Sequence, residues 1–361
     1  GFGYFTSSLY WITISLTFDQ TFKILIPIAF LLIPLFLAIF YGLATFALYY
    51  FKKFSNISLI LIFSLTFSIS EFLRGNILSG FPWNLISFSF SEFLPLLQIL
   101  SLIGTYSFNL FCLTLFVLPS LFYLKRNKYE IYFVVLFGLL LISGVLFGQL
   151  NIIKSNNTTF KDNNFLIKII SPKIGIERFY YTENEEEILE NLIKLSKPNK
   201  EVKTIFVWPE GVFNNTELKN LKKYQNIFKD KFSHKHLIIF GINNTVNDKT
   251  FNSMAVVNNN LDLIEFYNKN NLVPFGEFLP LEKLLKNLGM KTITNFYNSY
   301  SPGEKRDIIS LQNYEFDITF LPLICYEIIY SGKLSKNNNY DLIINISEDG
   351  WFGKSIGPYQ H

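Results

Sequence analysis

Cysteine and histidine are nearly missing from this chain. It has two cysteines, Cys112 and Cys325, and three histidines, His234, His236 and His361. Two cysteines cannot build a disulfide scaffold. No Cys/His cluster has zinc-ligand spacing, so neither a metal nor a cofactor is expected. Charge is scarce as well: 17% of residues, against roughly 25% in an average soluble domain. Of the 32 basic and 28 acidic residues, only 11 fall in residues 1–150. That distribution excludes a uniform soluble domain and a disordered chain. The net charge of +4 is small, and the lysines of the second half are interleaved with Glu, Asp and Asn. No basic stripe with interleaved aromatics is present, so no nucleic-acid partner is expected.

What the chain has instead is apolar length. A spanning helix needs about 20 mostly apolar residues, and five candidates occur, over 1–16, 22–50, 57–72, 95–123 and 131–150. A transmembrane helical domain is therefore expected over 1–150, with its first span cut short, followed by a water-soluble domain over 151–361. The loops Phe51-Lys52-Lys53-Phe54 and Lys125-Arg126-Asn127-Lys128 are basic, whereas the opposite-side loops hold only Lys23 and Arg74. The positive-inside rule puts the two basic loops in the cytoplasm and everything after 150 outside. The chain starts at Gly1 and stops at His361 just after a Gly-rich motif, which reads as a fragment lacking both ends. Glu71 and Arg74, three apart, share a helix face. Charges at such depth are paired or functional, or else snorkel to the headgroups. Trp83, in the turn-rich Gly80-Phe81-Pro82-Trp83-Asn84, reads as an aromatic-belt residue.

The second half alternates short apolar runs with polar segments. Strands are expected at 165–170, 203–208, 237–240, 254–257, 261–267, 318–324 and 342–346. Helices are expected at 183–197, from Ile188, Leu189, Leu192, Ile193 and Leu195, and at 216–231. Strands alternate with helices early and cluster later, the pattern of an α/β layered sheet or sandwich.

Three segments there carry chemistry. In Trp208-Pro209-Glu210-Gly211 a strand runs out into a Pro and a carboxylate, where a Glu can act as general base; taken alone, a Glu in such a turn is ordinary. In the segment from Tyr267 to Glu277, Lys269 and Glu277 bracket Leu-Val-Pro-Phe-Gly. A buried ammonium there would stabilise an oxyanion; a solvated lysine fits the bare segment equally. In Leu323-Ile324-Cys325-Tyr326-Glu327, Cys325 ends an apolar strand with no disulfide partner, since Cys112 lies in a span. It is a nucleophile or a structural thiol. His234 and His236 read as exposed, and His361 is terminal, so a Glu base and a Lys partner suit the thiol better than a His.

The order Trp-Pro-Glu, Lys-x-x-Leu-Val-Pro-Phe-Gly-Glu, Cys-Tyr-Glu resembles the nitrilase, or carbon-nitrogen hydrolase, superfamily. The form Tyr-x-Lys-x-x-Leu-Val-Pro-Phe-Gly-Glu behind a multi-helix membrane domain narrows the resemblance to the apolipoprotein N-acyltransferase family. Glu71-Phe72-Leu73-Arg74-Gly75, Gly80-Phe81-Pro82-Trp83 and Asp349-Gly350-Trp351-Phe352-Gly353 through Gln360-His361 match as well.

The resemblance implies an α-β-β-α sandwich behind the membrane helices. It implies Glu210 as general base, Lys269 as oxyanion partner and Cys325 as nucleophile, with Glu277, Tyr326 and Glu327 in support. It implies a ping-pong reaction in which Cys325 takes an acyl chain from a phospholipid, typically phosphatidylethanolamine, and passes it to the N-terminal amine of a diacylglyceryl-cysteine apolipoprotein. The implied location is the bacterial inner membrane, with the catalytic domain on the periplasmic side. Trp208, Phe275, Trp351, Phe296 and Tyr297 are candidate substrate or lipid contacts; for Phe296 and Tyr297, packed loop aromatics are the alternative. There are departures. The family carries Asn-Asp before Gly/Ala-Trp-Phe-Gly, and this chain has Glu348-Asp349. A family tryptophan in the first arm is replaced by an aromatic near Phe179 or Tyr180. The family's eight spans include two before Gly1 and one after the soluble domain. A membrane-tethered amidase acting on a small C–N bond is the rival enzyme, and a non-catalytic scaffold or transporter the rival from another class.

Overall fold

The computed structural model describes every residue except 123–126, 158–163, 180–184, 288–291, 293–298, 315 and 336–338, together with the side chains of 177, 214, 284 and 313. Lys125, Arg126, Tyr180, Phe296 and Tyr297 therefore lie outside the described residues. Two compact units are present. The first comprises Gly1–Tyr10, Pro27–Lys161 and Ile329–Gly332; the second comprises Trp11–Ile26, Asp162–Ile328 and Lys333–His361.

The first unit is helical: α1 (Phe2–Leu9), α2 (Ile26–Tyr49), α3 (Asn56–Arg74), the single turn α4 (Leu94–Leu97), α5 (Leu100–Val117) and α6 (Lys128–Asn156). Among the described residues, four stretches are long and apolar enough to cross a membrane, at Gln20–Tyr49, Asn56–Arg74, Leu100–Phe122 and Lys128–Asn156. Leu43 and Phe46 on α2 and Leu139 and Leu146 on α6 are each more than half exposed, as suits helices solvated by hydrocarbon rather than water. The span expected over 1–16 is not formed. α1 stops after eight residues and Tyr10–Thr17 continues as a 3-10 helix. The β-branched run Ile12-Thr13-Ile14 disfavours continued α-helix, and the Trp11 indole donates to Gln360 Oε1 (2.9 Å) inside the second unit. The span expected over 95–123 is kinked at Gly104, whose φ of +74° is a conformation that favours glycine.

Glu71 and Arg74 do not snorkel. Both are buried. Glu71 accepts from the Tyr41 hydroxyl (2.6 Å) and from Asn109 Nδ2. Arg74 Nη1 donates to the Phe81 and Trp83 carbonyls, each at 2.6 Å. The pair thus fixes the turn after α3 from inside. Trp83 is buried and stacked on Phe81 (5.7 Å), a packing role rather than that of a belt residue.

The second unit is built on two sheets. The first has the order β1 (Leu166–Ile169), β2 (Thr204–Val207), β4 (His236–Val246), β5 (Lys249–Asn258), β6 (Leu263–Asn268), with β3 (Phe213–Glu217) beside β4; the second is β7 (Ile309–Ser310), β8 (Thr319–Ile324), β9 (Leu342–Ile346). β1, β2 and β4 are parallel; β5 returns antiparallel to β4, and β6, antiparallel to β5, runs with β4 again. Alternation along the strands builds two cores. Phe206, Ile238, Phe240, Ala255 and Val257 face α7 (Glu185–Ser196) and α8 (Gln225–Lys231). Ile205, Val207, Ile239, Met254 and Val256 face Phe320, Ile324, Ile344 and Ile346 of the second sheet. On the opposite face of β8, Leu321 and Leu323 are fully buried, whereas Ile343 beside them on β9 is exposed. The strand at 213–217 was hidden within a segment expected to be helical from 216. Its Asn-Asn-Thr run carries no strand signal, and its pairing with β4 is non-local.

Glu185, in the acidic first turn of α7, ties α7 to β3 and the turn after it. Its carboxylate accepts from the backbone N–H of Asn215 (2.6 Å) and Thr216 (3.1 Å), from the Thr216 hydroxyl and from the Tyr224 hydroxyl (2.8 Å). Burial alone would raise its pKa. The bonds from Thr216, Asn215 and Tyr224 and the charge of Lys223 outweigh that and hold it below the usual carboxylate range. A depressed carboxyl stabilises the fold above its unfolded pKa and loses the contribution as pH falls through the folded one. Glu185→Ala should cost about 2–4 kcal/mol, since it orphans several buried donors, and should remove part of the stability lost below about pH 4. Thermal unfolding of the extracted protein against pH reads both effects.

Candidate active site

The residues singled out in the sequence converge at the C-terminal ends of four strands. β2 runs into Pro209-Glu210, β6 into Lys269, β8 into Cys325, and β9 into Ser347-Glu348. Lys269 is 1% exposed and lies between two carboxylates, 3.0 Å from Glu277 Oε1 and 3.6 Å from Glu210 Oε1. Asn252 Nδ2, on β5, donates 2.7 Å bonds to those same two oxygens. Burial alone would depress the Lys269 ammonium, but Glu277, Glu210, Cys325 and Glu327 together hold its pKa well above the ordinary lysine value. It is a fixed cation at any physiological pH.

Cys325 opens a 3-10 turn at φ +52°, a left-handed conformation that a non-glycine residue adopts only under constraint. Burial pushes its thiol well above the ordinary range, and the Glu210 charge pushes it further. Lys269 and a hydrogen bond from Ser347 act the other way. The resting group is thus a thiol rather than a thiolate, and it becomes a nucleophile only as a base takes its proton.

Glu327 is fully buried behind the nucleophile. Its Oε1 accepts from the Tyr267 hydroxyl (2.7 Å), the N–H groups of Asn270 and Asn271 (2.9 Å each) and Arg306 Nη2 (2.5 Å); its Oε2 accepts from Ile324 N–H (3.0 Å). Glu277 closes its own loop in the same way, with Oε2 accepting from Val273 N–H (2.9 Å). A carboxylate, a buried ammonium and a thiol at one set of strand ends can run acyl transfer: proton removal, attack on a carbonyl, and charge stabilisation of the tetrahedral oxyanion.

Residues 1–118 match the family model described as the apolipoprotein N-acyltransferase N-terminal domain, and residues 207–361 match that of the carbon-nitrogen hydrolases. The apolipoprotein N-acyltransferase of Rickettsia prowazekii is 31% identical over all of this chain and 72% of its own length. The chain belongs to the apolipoprotein N-acyltransferase family. The Rickettsia typhi and Rhodopseudomonas palustris proteins of that name are 32% and 29% identical, again over the whole chain and over 72% and 69% of theirs. Among solved structures, an amidase from Nesterenkonia sp. matches 53% of this chain and 68% of its own at 10% identity, with a TM-score of 0.35. It is the family-model match over 207–361 that gives the second unit, a mixed α/β domain, the carbon-nitrogen hydrolase fold; the membrane-length helices precede it in the chain.

Not every expected contact reaches the family site. Trp208 follows Val207 and so points to the other face of the first sheet. There it is 1% exposed, packed against Phe228, Phe232 and Phe240, with its indole donating to Ser196 Oγ (2.9 Å). Phe275 is 46% exposed at φ +62° in the Glu277 loop, and Trp351 stacks on Phe179 (5.2 Å). Tyr326 is buried in the turn after Cys325. Tyr300, at the end of the aromatic stretch, packs inward, with its hydroxyl on Asn243 Oδ1 (3.0 Å). His236 is buried, not exposed, with Nε2 2.9 Å from the Asn199 carbonyl; it opens β4, whose first residues are sealed on both faces. His361 is held at Nδ1 by Asp349 (2.8 Å).

Sequence reading missed Asn252, Arg306, Arg178 and Gly241. Asn252 lies in the polar half of its strand, Lys-Thr-Phe-Asn-Ser, and carried no signal; Arg306, in Pro-Gly-Glu-Lys-Arg-Asp, looked like solvated loop. Gly241 lies mid-strand where a Cβ would stand 2.6 Å from Gly211 N and 2.7 Å from Glu210 Cα. Gly241→Ala should therefore displace the Glu210 turn and lower acylation of Cys325 at least tenfold, with the protein still folded; single-turnover acylation and circular dichroism check the two halves.

Proposed function

We propose that the enzyme transfers an acyl chain from a membrane phospholipid, with phosphatidylethanolamine the favoured donor, to the N-terminal amine of diacylglyceryl apolipoproteins. Glu210 takes the Cys325 proton and the sulfur attacks the donor's ester carbonyl. The oxyanion forms beside Lys269 and collapses to a thioester, releasing a lysophospholipid. The acceptor's amine then attacks the thioester, an amide forms, and the thiol is regenerated. No nucleotide is consumed, because a thioester retains the reactivity an amine needs. The active domain works on the periplasmic side of the bacterial inner membrane; the family resemblance suggests that membrane, and the basic loops at 51–54 and 125–128 support the orientation.

The observation that carries this reading is Lys269, buried between Glu210 and Glu277 and electrostatically linked to Cys325, in a member of this family with four membrane-length helices. The test is intact-protein mass spectrometry after incubation with phosphatidylethanolamine. A fatty-acyl adduct on the wild-type chain, labile to hydroxylamine and absent from Cys325→Ala, is expected. An unmodified mass on wild type would favour the small-substrate amidase. Full acylation of lipoprotein by Cys325→Ala would remove the thioester altogether.

A further inference from the structure

Arg178 has no part in the mechanism above, yet it is among the largest fully buried side chains of the protein, 1% exposed. Its guanidinium spans three loops. Nε donates to the Gly211 carbonyl (3.3 Å), Nη1 to the Gly175 carbonyl (2.8 Å), and Nη2 is ion-paired with Glu348. The other Glu348 oxygen accepts from Gly350 N–H (2.9 Å) and so caps the turn at Asp349–Phe352. The guanidinium lies over the Phe179 ring (4.3 Å), which stacks on Trp351. A Cβ on Gly211 (φ +62°) would stand 2.6 Å from Phe179 Cζ, so the ring presses directly on the Glu210 turn.

Each end of this assembly is one residue from the site. Gly211 follows Glu210, and Glu348 follows Ser347, which meets the Cys325 thiol. A buried ion pair is a poor source of stability, because desolvation offsets the attraction. What such a pair with its remaining hydrogen bonds does supply is a single fixed geometry.

We infer that the Arg178–Glu348 pair positions the Glu210 turn against Cys325 by tying the loops after β1, β2 and β9 together around the Phe179–Trp351 stack. Arg178 and Glu348 are positioning residues and touch no reacting atom. The inference rests on reading Glu210 as the base that serves the Cys325 thiol. It does not rest on which acyl donor the enzyme uses.

The test is the rate of Cys325 alkylation by iodoacetamide in the whole detergent-extracted chain, located by peptide mass, alongside the unfolding temperature. Alkylation needs no lipid, so it reads the inference even if wild type takes no acyl chain from phospholipid. Glu210→Gln, which removes both the base and the charge that raises the thiol's pKa, is the reference for a Glu210 turn that no longer acts on Cys325. Glu348→Gln keeps the Gly350 cap but neutralises the pair, and Arg178→Gln removes the fork; each is expected to slow alkylation about tenfold or more. The double variant Arg178→Met, Glu348→Met removes both charges and should recover the wild-type unfolding temperature to within a few degrees, but it should stay slow, because the Gly211 and Gly175 bonds are gone. A pair that was only structural would give a double variant restored in both readouts, and that result overturns the inference. So does a folded Glu348→Gln that alkylates at the wild-type rate. If Arg178→Gln fails to fold, the Glu348 and double variants decide alone.

Discussion

Lys269→Met should lower acyl-enzyme formation about 10²–10³-fold, the usual cost of losing one oxyanion-stabilising group, while leaving a chain of nearly the same shape. Methionine fills the volume of the lysine stem but leaves Glu210 and Glu277 sharing the Asn252 amide with no cation between them. Like charges in one buried site disfavour each other's ionised form. The thiol suffers as well. Lys269 is the largest influence that draws the Cys325 pKa downward, against burial and Glu210, which raise it. Without the ammonium less thiolate exists at any given pH, so the alkylation profile of Cys325 should move toward alkaline pH. Lys269→Arg should not rescue, because a planar fork does not fit a slot built for a point charge. Normal turnover by Lys269→Met, with an unmoved alkylation profile, would show that the ammonium is a structural counter-ion and not part of the reaction.

How much of this was readable beforehand depended on whether a residue's meaning is local. Glu210, Lys269 and Cys325 could be found because each follows an apolar strand and each stands in a short motif; the structure brings all three together. The strands at 204–207 and 319–324 announced themselves by apolar runs, since a strand buried on both faces needs no alternation. Misreadings came where a distant partner decides. The apolar start of the chain was expected to span, but Trp11 is held by Gln360, 349 residues away. Trp208 lies next to the site in sequence and on the opposite face of the sheet in space. Arg306 and Arg178 sit in polar loops, where a buried arginine has no sequence signature; only their carboxylate partners, Glu327 and Glu348, give them meaning.

Glu327→Gln should be the most damaging single change to stability and should abolish turnover with it. The carboxylate collects five donors in a fully buried place, and they come from three segments. Asn270 and Asn271 directly follow Lys269, and Ile324 directly precedes Cys325. One side chain thus fixes the ammonium and the thiol through their chain neighbours. An amide keeps one acceptor oxygen but points a donor group at other donors. It also leaves Arg306, 7% exposed at its side chain, without its counter-charge. Breaking a buried pair from one side costs about 3–5 kcal/mol, which in a domain of this size lowers the unfolding temperature on the order of 10 °C. Adding Arg306→Gln should return part of that stability, since no bare charge is left inside. It should return no activity, because the Asn270, Asn271 and Ile324 bonds remain weakened. An unchanged unfolding temperature in Glu327→Gln would mean that other contacts hold the two loops, and the carboxylate would then have to act on the acyl group itself.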